Sequence, residues 1–381
     1  MKKQLRVPGP TEVPEEVLRE SSKQMIGHRS AEYVEMFKKI SEDIKQVFMT
    51  ENDVLIFPGA GTGGMEAAIV NLFSPGDKVL VLTTGVFGDR FAEIAVSFGL
   101  KVEKLTFDPG QCVNPDKVRE RMERNREEIK AVIVTHNETS TGVLNDIKEI
   151  KSALGDFPGL FVVDAVSSLG AAELKTDEWG IDVVVTGSQK ALMTPPGLAL
   201  ISVSEKAWRA CESSKLPKYY WSFVRAREYL KKGQNPYTPA VQQIYALKEA
   251  VRMILEEGLD NVFLRHRKLS KAFRHGIRGM GLELFARDEI ASPTVTAVKI
   301  PENLNFNNFK KRLKTDFNIE IAGGQKELKN KIFRFGHMGY IDEKDILACI
   351  SAIEICLKNL GLSIKIGSGI IAAEEILIKG E

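Results

Sequence analysis

The chain is poor in cysteine: Cys112, Cys211, Cys349 and Cys356 are its four, scattered, with no CxxC pair. That argues against a disulfide scaffold or a thiolate metal knuckle, and it suits a reducing cytoplasm. Histidine is also sparse. His28, His136, His266, His275 and His337 are dispersed without metal-ligand spacing, so no metal is expected. No run of about 18 apolar residues exists, so no membrane span is expected. The opening MKKQLRVPGPTEVP has two lysines but no apolar stretch behind them, and does not read as a secretory signal. Charge of one sign is lacking too. The formal net charge is +2 with no basic block, which argues against nucleic acid or a membrane surface as the main partner. Internal repeats and low-complexity segments are absent.

What is present is a soluble globular composition, 43% hydrophobic and 27% charged. At 381 residues the chain exceeds the usual size of one core, so two domains are expected. Residues 1–20, with Pro8, Gly9, Pro10 and Pro14, read as an irregular arm laid over something else. Residues 21–239 carry a helix over about 30–50 and then alternating strands and helices. Strands are expected near 54–57, 78–82, 101–107, 130–136 and 160–165, with two more around Lys190. That alternation predicts an α/β fold with a mainly parallel seven-stranded sheet, covered on both faces. The polar, aromatic text from Trp208 to Pro239 marks a boundary. Residues 240–362 read as a smaller α+β domain, and 363–381 as a weakly amphipathic tail of unassigned role.

The most unusual stretch is Val183 to Ser204: 22 residues with one charge, Lys190, where the average composition would place about six. It reads as strand, turn, lysine, turn, strand. A lone ammonium between buried strands is costly unless its pKa falls or it is bonded covalently, as a Schiff-base amine is. The alternative is a lysine whose head reaches solvent from a strand end. Gly59-Ala60-Gly61-Thr62-Gly63-Gly64 lies between a strand and a helix, where backbone N–H groups would bind a phosphate, the alternative being a plain tight turn. Read literally it is also GxGxxG, but the dinucleotide reading needs an acid at the end of the next strand, and Val81-Leu82-Thr83-Thr84-Gly85 has none. Asp164 ends the apolar run Leu160–Val163, at the carboxyl edge where ligands of open sheets bind; it could equally be a helix cap. Arg334 alternates with Phe333 and Phe335, and would either clamp a carboxylate or lie on an exposed strand face.

A phosphate loop, an aspartate, a lysine 26 residues later and an arginine in a second domain match the needs of pyridoxal phosphate. With GAGTGGMEAA, ETSTGV, VVDAVSSLG, TGSQKAL, NPYTP and RFGHMG in order, the chain resembles class V, fold-type I pyridoxal-phosphate aminotransferases, within them the serine–pyruvate and alanine–glyoxylate group. The resemblance runs from Pro8 to about Gly361. It implies catalytic roles for Lys190, the Schiff-base lysine, and Asp164, the partner of the pyridine nitrogen. It implies a phosphate cup of Gly61 and Thr62 with Gln189 beside it. Thr139 would meet the ring oxygen, Val166 one ring face, and Phe87 the stacking position, where relatives often have Trp or Tyr. Tyr237 and Thr238 would reach the phosphate of a neighbouring subunit, implying a homodimer with shared sites. Arg334 would bind the substrate carboxylate, and Gly9 would line the substrate pocket.

The activity implied is transamination between serine or alanine and glyoxylate or pyruvate, in the cytoplasm. Aminotransferases for aspartate, ureidoglycine or aminoethylphosphonate are alternatives, as is a non-catalytic accessory subunit on the same scaffold. A cysteine desulfurase is disfavoured, since no cysteine lies between Glu212 and Ala348.

Overall fold

A computed structural model describes residues 3–124 and 126–379. The chain begins with β1 (Gln4–Leu5) and α1 (Glu15–Ser21), then α2 (Ala31–Phe48). Ser30 caps α2, its hydroxyl accepting from Tyr33 N at 3.2 Å, and Tyr33, Phe37, Ile40, Ile44 and Val47 form its buried face. Left-handed Met49 (φ 51°) ends it. Alternation follows: β2 (Asp53–Gly59), α3 (Gly61–Leu72), β3 (Lys78–Thr83), α4 (Val86–Ser97), β4 (Lys101–Thr106), α5 (Pro115–Met122) and β5 (Ile129–Thr135). A small hairpin, β6 (Asn137–Glu138) and β7 (Val143–Leu144), precedes α6 (Ile147–Leu154), β8 (Leu160–Asp164), β9 (Val183–Gly187) and β10 (Gly197–Val203).

Seven of these strands form one sheet in the order β2-β10-β9-β8-β5-β3-β4. β10 is antiparallel to both neighbours, and every other neighbouring pair is parallel. β10 can reverse because the turn around Lys190 returns the chain directly, without a crossover helix. Six strands therefore end on one edge, at Gly59, Thr83, Thr106, Thr135, Asp164 and Gly187. Alternate residues fill two cores. Val163, Val184 and Leu200 face one side, with α2; Val162, Val185 and Ile201 face the other, with α3. Each such fully buried side chain contributes about 1.5–3 kcal/mol relative to exposure.

The aromatic stretch after β10 contains two helices absent from the expectation, α7 (Glu205–Ser213) and α8 (Phe223–Leu230). Trp208 and Phe223 anchor them in the second core. Next come α9 (Val241–Glu257), whose Ile244, Leu247 and Val251 join the first core, and α10 (Leu259–Gly279). The remaining module holds β11 (Val295–Lys299), α11 (Phe306–Phe317), β12 (Ile319–Glu320), β13 (Ala322–Gly323), β14 (Ile332–Gly336), α12 (Glu343–Asn359) and α13 (Ser368–Lys379). Its sheet is antiparallel, ordered β11-β14-β13.

The described parts of the arm and the tail are both structured. The arm lies against the smaller module: β1 pairs in parallel with β12, and Gly336 N donates to the Arg6 carbonyl at 2.7 Å. The tail forms α13, packed on α10 where glycines allow close approach. A Cβ at Gly279 would lie 2.6 Å from the Ser368 carbonyl. Buried Glu354 accepts from Gly367 N and Gly369 N at 3.0 and 2.6 Å, holding the start of α13.

Glycines also move one boundary. The glycine stretch, expected to loop as far as Gly64, is already helical from Gly61, because a helix must sit flush on the sheet there. A Cβ at Gly64 would lie 2.7 Å from Val185 Cγ1 and 3.3 Å from Ala199 Cβ. Gly64→Val should therefore lower unfolding stability by about 1–3 kcal/mol, read as a reduced urea midpoint. An unchanged midpoint would show that α3 does not rest on β9 and β10 in this way.

Candidate active site

The site gathers on the carboxyl edge of the large sheet. Lys190 stands on the turn between β9 and β10. That turn is satisfied by hydroxyls instead of charges. Ser188 Oγ donates to the Pro195 carbonyl at 3.0 Å and accepts from Leu198 N at 3.2 Å, while Thr194 Oγ1 donates to the Ser188 carbonyl at 2.9 Å. Lys190 Nζ donates to the Pro8 carbonyl, and a Cβ at Gly9 would lie 2.3 Å from that nitrogen. Thr11 clasps the turn, its N donating to the Gln189 carbonyl at 3.1 Å and its Oγ1 to the Lys190 carbonyl at 2.9 Å. The arm thus closes over the lysine. Burial, then the positive charge of Arg334, pulls the Lys190 ammonium down to about 8, against the opposing pull of Asp164.

Asp164, 2% exposed, ends β8. Its Oδ1 accepts from Val166 N at 2.9 Å and its Oδ2 from Thr135 Oγ1 at 3.3 Å. Burial pushes its carboxyl up to about 6, with the carboxylate of Glu138 adding to the rise. Val166 reaches Gly61, where a Cβ would sit 2.5 Å from Val166 Cγ2. The start of α3 has no side-chain cap, so its first N–H groups remain donors for an anion. Gln189 approaches the same place: a Cβ at Gly187 would meet Gln189 Oε1 at 2.8 Å and Gly61 N at 3.1 Å. That Oε1 is buried without a hydrogen-bond partner. Thr62 lies one residue into α3, within 3.5 Å of Arg90 Nη1.

Glu138 was not singled out from the sequence as a site residue, yet it organises one wall. Fully buried, its Oε2 accepts from Phe87 N and Gly88 N at 3.1 and 3.2 Å, and its Oε1 from Ser140 N at 3.0 Å. A carboxylate at the start of α4 is favoured by the helix dipole. It sets Phe87 beside the Asn137–Thr141 loop. Thr139 Oγ1 donates to Ser167 Oγ at 2.7 Å, and Ser167 Oγ donates to the Asn137 carbonyl at 2.9 Å. A signal existed in the sequence: an acid within a turn on the carboxyl edge, between two polar neighbours.

Arg334 is not on an exposed strand face. It is 6% exposed, with Nε donating to the Gly323 carbonyl at 3.0 Å and Nη1 to the Thr139 carbonyl at 3.2 Å. Burial pulls it down to about 10, against Glu138. It ties the smaller module to the Thr139 loop. Tyr237 and Thr238 stand apart from this cluster. Tyr237 stacks with Tyr219 and Tyr220, ring centroids 5.6 Å away in both cases, and Thr238 is exposed.

A mostly parallel sheet whose edge presents a lysine, a buried aspartate and an uncapped helix start, faced by an arginine of a second module, defines an enzyme of the fold-type I class. The Aminotransferase class-V family model matches residues 5–346, and the chain belongs to that family. It is 44% identical to the soluble hydrogenase 42 kDa subunit of Anabaena cylindrica, over 98% of each chain. It is 36% identical to serine–glyoxylate aminotransferase of Arabidopsis thaliana, over 98% of this chain and 94% of the relative. The crystal structure of ureidoglycine–glyoxylate aminotransferase from Bacillus subtilis superposes with a TM-score of 0.93 at 31% identity, covering 99% of this chain and 98% of that one. The family's cofactor is pyridoxal 5'-phosphate, and the site suits it. The Gln189 amide, whose NH2 group would donate to a phosphate, the side-chain-free Gly61 beside Val166 and the buried Asp164 carboxyl suit a phosphorylated pyridine.

The charge of Arg334 acting on Lys190 yields a pH prediction. In the apoprotein, modification of Lys190 by an amine reagent should rise with a half-point near pH 8. Arg334→Gln removes a nearby positive charge, so the half-point should move up. A half-point that stays or falls would show that Arg334 does not act on Lys190.

Proposed function

We propose that the protein moves an amino group between a small amino acid, serine or alanine, and a 2-oxo acid, glyoxylate or pyruvate. The observation that carries this is the meeting of Lys190 and Asp164, on the carboxyl edge of the large sheet, with Arg334 of the smaller module's sheet, each shifted by burial. Similarity to a serine–glyoxylate enzyme supports the choice of substrate class. Pyridoxal 5'-phosphate, when bound, supplies a reactive carbonyl and an electron sink. Gly61, Thr62 and Gln189 would hold its phosphate, Thr139 its ring oxygen, and Val166 and Phe87 its two faces. Asp164 Oδ2 would hold a proton on the pyridine nitrogen, and a cation there would draw the aspartate back to its charged form. Arg334 would orient the substrate carboxylate. Lys190 Nζ, held near 8 and so partly neutral at neutral pH, would take the substrate α-proton and return it one carbon away. Gly9 and Pro8 would exclude water above it.

The assembly we propose is a homodimer that places Tyr237 and Thr238 at a neighbour's phosphate. Tyr219, 65% exposed, and Tyr220, 43% exposed, give that region an aromatic surface suited to burial. Four unjoined cysteines favour the cytoplasm. Among the described residues no helix is long and apolar enough to cross a membrane. A second reading, an accessory subunit, is favoured by the name of the Anabaena relative. The presence of Lys190, Asp164 and Arg334 at the positions the chemistry needs opposes it.

A donor–acceptor matrix with purified protein tests the reading. Serine or alanine with glyoxylate or pyruvate should turn over fastest, and Lys190→Ala should lose at least about 10²–10⁴-fold in rate. Arg334→Ala should lose about 10- to 150-fold in kcat/KM for amino acids. Turnover only with aspartate or an aminophosphonate would overturn the substrate assignment. No turnover with any pair would favour the accessory reading.

A further inference from the structure

Arg90 has no place in the site assigned so far. It lies on the first turns of α4, its guanidinium carbon 4.7 Å from the centre of the Phe87 ring and its Nη1 3.5 Å from Thr62 Oγ1. No carboxylate pairs with it among the described residues. Its sequence neighbour Asp89 is engaged elsewhere, accepting from Thr83 Oγ1 at 3.2 Å and pairing with Lys104 at 2.9 Å and Lys326 at 3.8 Å. Glu93, one turn on, pairs with Lys326 at 3.5 Å. An unpaired guanidinium therefore stands between the ring assigned to stacking and the threonine assigned to the phosphate cup.

Charge balance gives that position a purpose. A phosphate monoester carries about −1.5 to −2 at neutral pH. The residues assigned to hold it, Gly61, Thr62 and Gln189 here and Tyr237 and Thr238 of a second copy, are all neutral. Lys190 is committed to chemistry at the carbonyl end. Arg334 is held by the Gly323 and Thr139 carbonyls. The dipole of α3 supplies only about half an elementary charge. We propose that Arg90 is the cationic anchor of the cofactor phosphate, joining Thr62 and the start of α3 while its plane rests on Phe87. Phe87 has no polar handle, so contact with the guanidinium also limits the tilt of its ring. Its electrostatic reach to Lys190 places Arg90 in the same field.

This inference rests on the cofactor assignment and is tested separately from it, by binding. Apoprotein of the wild type, Arg90→Gln and Arg90→Lys is titrated with pyridoxal 5'-phosphate and with pyridoxal, which lacks the phosphate, following intrinsic fluorescence. Arg90→Gln should weaken pyridoxal 5'-phosphate by about tenfold or more and pyridoxal by less than about twofold, with Arg90→Lys between. Retained pyridoxal binding also serves as the folding control. Equal losses for both ligands would make Arg90 a prop for Phe87 alone and overturn the inference. Unchanged binding of both would overturn it too, and a raised KM for dicarboxylic substrates in that variant would assign Arg90 to the substrate instead. Wild-type protein that binds neither ligand would overturn the cofactor assignment and this inference together.

Discussion

Everything in this molecule turns on holding one ammonium half-buried beneath the arm. Lys190 is the single charge between Val183 and Ser204, and the two strands that flank it lie inside the sheet, buried on both faces. The turn that carries it is satisfied by Ser188 and Thr194 hydroxyls, so no second charge is needed nearby to stabilise the loop. The arm then covers it through Pro8, Gly9 and Thr11. Burial alone would make such a lysine a liability. Here it lowers the cost of the neutral amine, the form that can act as a nucleophile or base.

The rest of the fold supplies partners to that amine. Parallel strands share a direction, so their ends meet on one edge, and the chain can bring Gly61, Thr135, Asp164 and Lys190 together from the ends of separate strands. The helices that follow those strands turn their N-termini to the same edge, one open at Gly61 and one closed by Glu138. The distinction is chemical. An open start leaves donors for a phosphate, while a closed start fixes the ring of Phe87. Arg334 and the arm come from the other module, and their bonds to the Thr139 carbonyl and the Lys190 turn join the two cores across the site.

Much of this could be read from residues alone, because it rests on local rules. Six of the seven strands followed from apolar runs bounded by turns, the charged edge strand β4 being the exception, and Asp164 and Lys190 from charges placed where runs end. Other features depended on distant contacts. α3 starts at Gly61 and not at Met65 because Val166, Val185 and Trp221 approach the glycines, and those neighbours lie far away in sequence. α7 and α8 were hidden by aromatic, polar text whose burial is decided by Phe57, itself on β2. The tail looked weakly amphipathic because α13 makes its closest contacts through glycine backbones and a buried glutamate, Glu354, beside a short apolar stripe of Ile370, Ala373, Ile376 and Leu377. Glu138 was missed because the start of α4, which rests on it, lies far away in sequence.

The most direct test of the central claim is chemical trapping. Protein loaded with pyridoxal 5'-phosphate is reduced with borohydride, digested and mapped by mass spectrometry. The account predicts a phosphopyridoxyl group on the peptide that contains Lys190, at one group per chain, and none in Lys190→Ala. The same group found on a different lysine, or no trapped cofactor at all, would contradict it.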